Sequence, residues 1–186
     1  MVLENINGKT TSSQIILITG GTKSGKSEFA EYLGRKYQNL TYVALSEERP
    51  EDKNWQQKIS IHRERRPIEW KTIETTDLIK ILRSEQSPVL IDSIGGFIMK
   101  HINLIDIEWA KKKCLLIDEL NIRKDITLIV GEQVGFGLVS EYEIGNRYIE
   151  RIGELQKEIS KISRENWLTL NGRAIQLDSI SIEIPS

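Results

Sequence analysis

Two short stretches of this chain carry residue types suited to phosphate chemistry. The first is Gly20-Gly21-Thr22-Lys23-Ser24-Gly25-Lys26-Ser27, which follows the apolar run Ile15-Ile16-Leu17-Ile18. A Gly, four residues, then Gly-Lys-Ser is the spacing of a phosphate-binding loop. Its glycines let successive backbone N–H groups turn inward onto phosphate oxygens. The helix opening at Gly25 adds the positive end of its dipole. In this pattern Lys26 reaches the β- and γ-phosphates and the Ser27 hydroxyl takes a Mg²⁺ ion. The chain is therefore expected to bind a nucleoside triphosphate.

The second stretch is His62-Arg63-Glu64-Arg65-Arg66-Pro67, which holds one of the chain's 2 histidines beside three arginines. Cationic surroundings favour the neutral, nucleophilic imidazole. Guanidinium groups grip phosphate oxygens in two-point fashion. A neutral imidazole beside a bound triphosphate can attack the α-phosphorus and expel pyrophosphate. The residues alone leave a second reading open. His62 shares a helical stripe with Trp55 and Ile59, so it also fits a packed helix-end histidine flanked by solvated arginines.

Asp92 ends the apolar run Val89-Leu90-Ile91, where a carboxylate can share a Mg²⁺ ion with Ser27. Glu74 and Glu132 also fall near strand ends. Each fits contact with ribose, metal or a substrate hydroxyl, and equally a helix cap or a solvated side chain. Trp55, Trp70, Trp109 and Trp167 are expected in the core or an interface, and His101 at the surface.

These residues need elements to hold them. Periodicity predicts strands at Gln14–Thr19, Thr41–Leu45, Glu69–Ile73, Val89–Asp92 and Ile126–Val130. Helices are predicted from Gly25 to about Tyr37, Asn54 to about Arg63, Thr76–Ser84, Ile107 to about Leu120 and Glu143–Ser163. The last carries an apolar stripe of Ile144, Tyr148, Ile152, Leu155, Ile159 and Ile162. Trp167–Leu170, Asn171-Gly172 and Ala174–Leu177 read as a hairpin. Strands alternating with helices give an α/β three-layer P-loop NTPase fold of RecA-like type. Its sheet is mostly parallel, with a C-terminal antiparallel hairpin. Ligands in such sheets lie at the carboxyl ends of the strands. That edge would gather Gly20–Ser27, Leu45-Ser46, Asp92 and Gly131–Gly137.

The 186 residues fit one catalytic domain, expected over 14–178, with a flexible tail at 1–13 and another at 179–186. A net charge of -1 gives no reason to expect nucleic-acid binding. The single cysteine, Cys114, forms no intrachain disulfide. No apolar run approaches a membrane span, and the polar start does not read as a signal peptide, so a cytoplasmic location is expected.

Several ordered motifs give the chain a resemblance over about Gln14 to Leu177. They are Thr19-Gly20-Gly21-x-x-Ser24-Gly25-Lys26-Ser27, Tyr42-Val43-Ala44, and Lys58-Ile59-x-x-His62-Arg63-x-Arg65-Arg66-Pro67-x-x-Trp70-x-Thr72-x-Glu74. Leu90-Ile91-Asp92-Ser93 and Val134-Gly135-x-Gly137-x-Val139 complete the set. The chain resembles the bifunctional adenosylcobinamide kinase/adenosylcobinamide-phosphate guanylyltransferase family of cobalamin biosynthesis. The His…Arg-Pro…Trp…Glu block is the most specific part of the likeness. The resemblance implies two reactions. ATP or GTP phosphorylates adenosylcobinamide; GTP then gives GMP to a histidine, which passes it to the new phosphate, forming adenosylcobinamide-GDP. His62 matches the histidine that carries GMP. Nucleotide contacts carry over to Gly20 through Ser27, to Ala44, Leu45 and Ser46, to Arg63, Glu64, Arg65 and Arg66, and to Glu74 and Asp92. Mg²⁺ at Ser27 and Asp92 and a homotrimer with sites between subunits are implied as well. A rival reading is a P-loop kinase for another small molecule, with His62 structural.

The chain departs from the family pattern in three places. Cys-Leu-Thr-Leu-Trp after the strand aspartate is replaced by Ser93-Ile94-Gly95-Gly96-Phe97. Asn-Glu-Val-Gly becomes Glu132-Gln133-Val134-Gly135, which moves a carboxylate by one position, and Ser140 replaces a proline. The usual basic residue is absent at Asn146. The moved carboxylate bears on the kinase half-reaction.

Overall fold

A computed structural model describes residues 13–45, 66–137 and 140–184 of the chain. The expected helix at Asn54–Arg63, the tail before residue 13, and Ser46, Trp55, His62, Arg63, Glu64 and Arg65 lie outside the described residues.

Seven strands form one sheet in the order β3-β2-β4-β5-β1-β6-β7. They are β1 (Ile15–Gly20), β2 (Thr41–Ala44), β3 (Lys71–Glu74), β4 (Val89–Asp92), β5 (Thr127–Glu132), β6 (Glu165–Leu170) and β7 (Arg173–Gln176). All pairings are parallel except β6 with β7. The strand carrying the phosphate loop, β1, is separated from the one ending in Asp92 by the inserted β5, as the RecA-like expectation requires. β1 is buried along its whole length, which explains why its sequence is continuously apolar rather than alternating.

Helices cover both faces unequally. α1 (Lys26–Gly34) packs Ala30 and Leu33 against Ile16, Ile18, Leu90, Leu128 and Val130. The opposite face takes α2 (Leu78–Ser84), α3 (Gly95–Lys100), α4 (Asp106–Ile122) and α5 (Glu143–Ile162), which bury Leu78, Leu82, Phe97, Trp109, Leu116, Leu120, Ile152, Leu155 and Ile159. Odd positions of β1 face this second core and even positions the first, the two-residue alternation of a strand.

Several boundaries differ from the sequence reading. β1 and β5 run on to Gly20 and Glu132, because these residues pair with each other in register. β3 starts at Lys71 rather than Glu69, since only from there does it pair with β2. α1 stops at Gly34; the Arg35 N–H still bonds four residues back, to Glu31, but those of Lys36 and Tyr37 bond three back. α2 begins at Leu78, with the Asp77 carboxylate accepting from the Lys80 N–H as its cap.

α3 has no sequence signal, because it opens on two glycines and no polar cap. The packing explains those glycines. A Cβ at Gly96 would collide with the Leu45 carbonyl, and one at Gly95 with the Tyr148 hydroxyl and the Glu132 carboxylate. Ile144, read as part of the α5 stripe, is half exposed at the helix start. His101 is not a plain surface residue. It is half-buried at the end of α3, edge-on to Phe97 at 4.8 Å between ring centroids.

The C-terminal hairpin is as expected. Its turn residues Asn171 and Gly172 both have positive φ, 50° and 72°, which the right-handed twist of a two-residue hairpin requires. Among the described residues, no helix is long and apolar enough to cross a membrane.

Candidate active site

The register places Gly20 beside Glu132 and Thr169, and Ala44 beside Glu74 and Asp92, all at the carboxyl edge of the sheet. That edge is where β1 opens into the phosphate loop. The loop is tied down from three sides. Gly20 gives its carbonyl to the Gln133 N–H at 2.9 Å. Ser24 bonds the Thr169 hydroxyl at 2.7 Å, and Thr169 in turn donates to the Thr19 carbonyl at 3.1 Å. The Gly172 N–H at the hairpin tip donates to the Ser24 carbonyl at 3.1 Å. A side chain at Gly20 would run into the Thr169 backbone and hydroxyl, so glycine there is a packing requirement. Gly25 precedes α1 with φ 95°, a left-handed value that favours glycine, and Lys23 holds φ 57° within the loop.

Behind the loop runs a chain of polar contacts. Lys26 Nζ donates to the Gly21 carbonyl at 3.2 Å, on the loop itself. Ser27 Oγ donates to Asp92 Oδ1 at 3.2 Å. The other oxygen, Asp92 Oδ2, accepts from the Tyr42 hydroxyl. Above the Tyr42 ring lies the Arg66 guanidinium, its Cζ 3.4 Å from the ring centroid. Tyr42 is fully buried, and burial, then the Asp92 charge, push its phenol far above the ordinary range; Arg66 acts in the opposite sense. The ring therefore stays neutral and donates. A hydroxyl and a carboxylate side by side form a hard-oxygen pair suited to Mg²⁺, which completes its shell with phosphate oxygens and water. Among the described residues no cluster of three or more His, Cys, Asp or Glu side chains offers another metal site.

The structure thus brings together the expected Gly20, Gly21, Thr22, Lys23, Ser24, Gly25, Lys26, Ser27 and Asp92, and links the equally expected Arg66 to Asp92 through Tyr42. Ala44 and Glu74 stand at the same edge, on β2 and β3, two and three strands removed from β5. Leu45 follows Ala44, but its side chain is buried in the core rather than turned to the site. Tyr42, Ser93, Tyr148 and Thr169 were not singled out by their residue types. The signal for Tyr42 and Ser93 was present, since Tyr42 lies in a strand that ends at the site and Ser93 directly follows another. The Glu132 carboxylate, on the residues one of several equal carboxylates, stands apart in the structure. It accepts from Ser93 Oγ, and burial raises its proton affinity while the Ser93 bond and the Lys26 charge lower it.

A parallel sheet with β5 inserted between the loop strand and the aspartate strand, and a complete phosphate loop facing a hydroxyl–carboxylate pair, defines a RecA-like P-loop nucleotide-binding enzyme. The family described as cobinamide kinase / cobinamide phosphate guanyltransferase matches residues 16–177. The chain belongs to that family. Among its relatives is the bifunctional adenosylcobalamin biosynthesis protein CobU of Escherichia coli K12, 25% identical over 183 residues, covering 88% of this chain and 99% of that protein. The bifunctional adenosylcobalamin biosynthesis protein CobP of Pseudomonas aeruginosa is 28% identical over 167 residues, covering 87% of this chain and 95% of the relative. A Pyrococcus horikoshii OT3 protein, solved as project PH0250, shares the fold with a TM-score of 0.51 at 9% identity, over 92% of this chain and 88% of that one.

Proposed function

We propose that the chain performs both family reactions at one nucleotide site, phosphorylating adenosylcobinamide with ATP or GTP and then transferring GMP from GTP to adenosylcobinamide phosphate. Its family and its curated relatives support the bifunctional kinase and guanylyltransferase activity over nearly its whole length. The observation that supports one shared site is the run Arg66–Tyr42–Asp92–Ser27, which fastens the end of the His62–Arg66 segment to the phosphate loop. Four residues separate His62 from Arg66, and four residues of chain span at most about 14 Å. The proposed transfer asks His62 to use that reach to meet a triphosphate held by the loop.

In the first reaction the loop amides and Lys26 hold the phosphates, and the acceptor hydroxyl displaces the nucleoside diphosphate from the γ-phosphorus. Positioning and charge neutralisation dominate such a step. Mg²⁺, held by Ser27 and Asp92, would supply charge neutralisation on the phosphate oxygens. In the second reaction a neutral His62 nitrogen attacks the α-phosphorus of GTP. A P–N bond forms as the bond to pyrophosphate breaks, with Arg63, Arg65 and Arg66 offsetting the charge on the leaving group. An oxygen of adenosylcobinamide phosphate then displaces the imidazole and frees His62. Ala44, Leu45, Ser46, Glu64 and Glu74 complete the nucleotide contacts. We place the enzyme in the cytoplasm, as a homotrimer whose sites lie between subunits. The rival kinase with a structural His62 has no observation in its favour.

Assaying the His62→Ala protein in both half-reactions tests this. Loss of GMP transfer of about 10³-fold or more, with phosphorylation of adenosylcobinamide within about threefold of normal, is expected. Unchanged GMP transfer would overturn the assignment.

A further inference from the structure

The phosphate loop and the Asp92 carboxylate hang from strands that are not neighbours. β1 leads into the loop, β4 ends in Asp92, and β5 lies between them. The gap in which Ser27 meets Asp92 is therefore set by how the end of β5 holds each side. Toward the loop the hold is main chain: the Gln133 N–H donates to the Gly20 carbonyl at 2.9 Å. Toward Asp92 the Ile94 N–H donates to the Val130 carbonyl at 2.9 Å. There β5 adds a side chain, because Glu132 Oε1 accepts from Ser93 Oγ, on the residue that directly follows Asp92.

Glu132 is itself fixed at both ends. Its carbonyl accepts from Nε2 of the buried Gln156, on α5, at 3.0 Å. Gly131 leaves room for that amide, which a Cβ there would meet at 2.6 Å. The carboxylate is wedged against α3, where a Cβ at Gly95 would lie 2.9 Å from Oε2 and collide with the Tyr148 hydroxyl. Oε2 is buried with no hydrogen-bond partner, so the enclosed group acts through Oε1 alone. A buried carboxylate with an unmet oxygen costs stability that an apolar side chain of similar size would not. What it provides at this point is a strong, directional acceptor for Ser93.

We infer that Glu132 is a positioning residue of the Ser27–Asp92 pair: by holding Ser93 it keeps the Asp92 carboxylate facing Ser27, while the same strand end holds the loop. This rests on the Mg²⁺ placement proposed above. Small displacements of Asp92 matter because Mg²⁺ demands near-ideal octahedral geometry. Groups that orient a metal ligand typically carry about 10- to 100-fold in metal affinity. Glu132 acts through Ser93 and one peptide unit rather than on the ligand itself, so its effect belongs at the lower end.

The test measures Mn²⁺ binding to the protein saturated with ADP, from the electron paramagnetic resonance signal of free Mn²⁺, and metal-free ADP binding by calorimetry. The proteins are the wild type, Ser93→Ala, Glu132→Ala, Glu132→Gln and the double variant of Ser93→Ala with Glu132→Ala. Each alanine variant should weaken Mn²⁺ binding by about tenfold and leave metal-free ADP binding within about twofold. The double variant should lose little more than either single one, because both remove the same bond. Glu132→Gln keeps an amide oxygen that can accept from Ser93, so it should hold Mn²⁺ within about threefold of the wild type. A purely structural role would lower the thermal midpoints and leave the Mn²⁺ affinity of the folded variants unchanged, and that result would overturn the inference. Equal losses of Mn²⁺ and metal-free ADP binding, or a loss in Glu132→Gln as large as in Glu132→Ala, would overturn it as well. If Glu132→Ala does not fold, Ser93→Ala, which deletes a single oxygen, decides. Mn²⁺ binding untouched by Asp92→Ala would instead defeat the metal placement itself.

Discussion

Tyr42 is the residue on which the two halves of the site meet. Its hydroxyl is the second donor to Asp92, and its ring carries Arg66. Replacing it with phenylalanine keeps the ring and removes the donor. Leaving a half-buried charged acceptor short of a partner costs about 1–3 kcal/mol. Tyr42→Phe should therefore lower the urea-unfolding free energy by that amount without changing the m-value; an unchanged midpoint would mean that the Tyr42–Asp92 bond contributes nothing. His101 makes a separate, pH-dependent prediction. Burial lowers its pKa from 6.5, and Lys100 and Lys112 add to this while Asp77 opposes them. As pH falls, the unfolded chain takes up this proton before the folded one does, so stability declines below about pH 6.5. The wild type should lose stability from pH 7 to pH 5 more steeply than His101→Gln, measured by denaturant titration at each pH. Parallel curves would contradict it.

At the scale of elements, the C-terminal hairpin is the brace of the phosphate loop. Thr169 on β6 satisfies both the Thr19 carbonyl and the Ser24 hydroxyl, and the turn at Gly172 holds the Ser24 carbonyl. Thr169→Val keeps the shape and removes the hydroxyl. It should weaken nucleotide binding several-fold by calorimetric titration and affect both half-reactions alike, because the loop serves both. A loss confined to one would show that the hairpin does more than brace. The apolar strands β1, β2, β4 and β5 were legible because burial on both faces leaves a continuous hydrophobic run. The hairpin was legible because Asn171-Gly172 suits its left-handed turn. α3 was not, since Gly95 and Gly96 are poor helix formers placed there by close approach to Glu132 and Leu45. The site divides in the same way. The phosphate loop and Asp92 announce themselves by spacing. Glu132, Ser93 and Tyr148 act through contacts between β5, α3 and α5, and nothing local in sequence records which of several carboxylates the fold buries.

At the scale of the whole molecule, four of the five described helices cover one face of the sheet and only α1 the other. β2 and β3, between which the His62–Arg66 segment falls in sequence, lie at the far end of the sheet from the hairpin. The proposed homotrimer should sediment at three times the 21.4 kDa chain mass. A monomer with full guanylyl transfer would show that each chain closes its own site. Incubation with α-labelled GTP and Mg²⁺, followed by peptide mapping, tests the central claim most directly. One label per active site, bound to His62, lost in acid and retained in alkali, is the predicted result. Wild-type protein that binds GTP yet carries no label, or carries it on another residue, would contradict it.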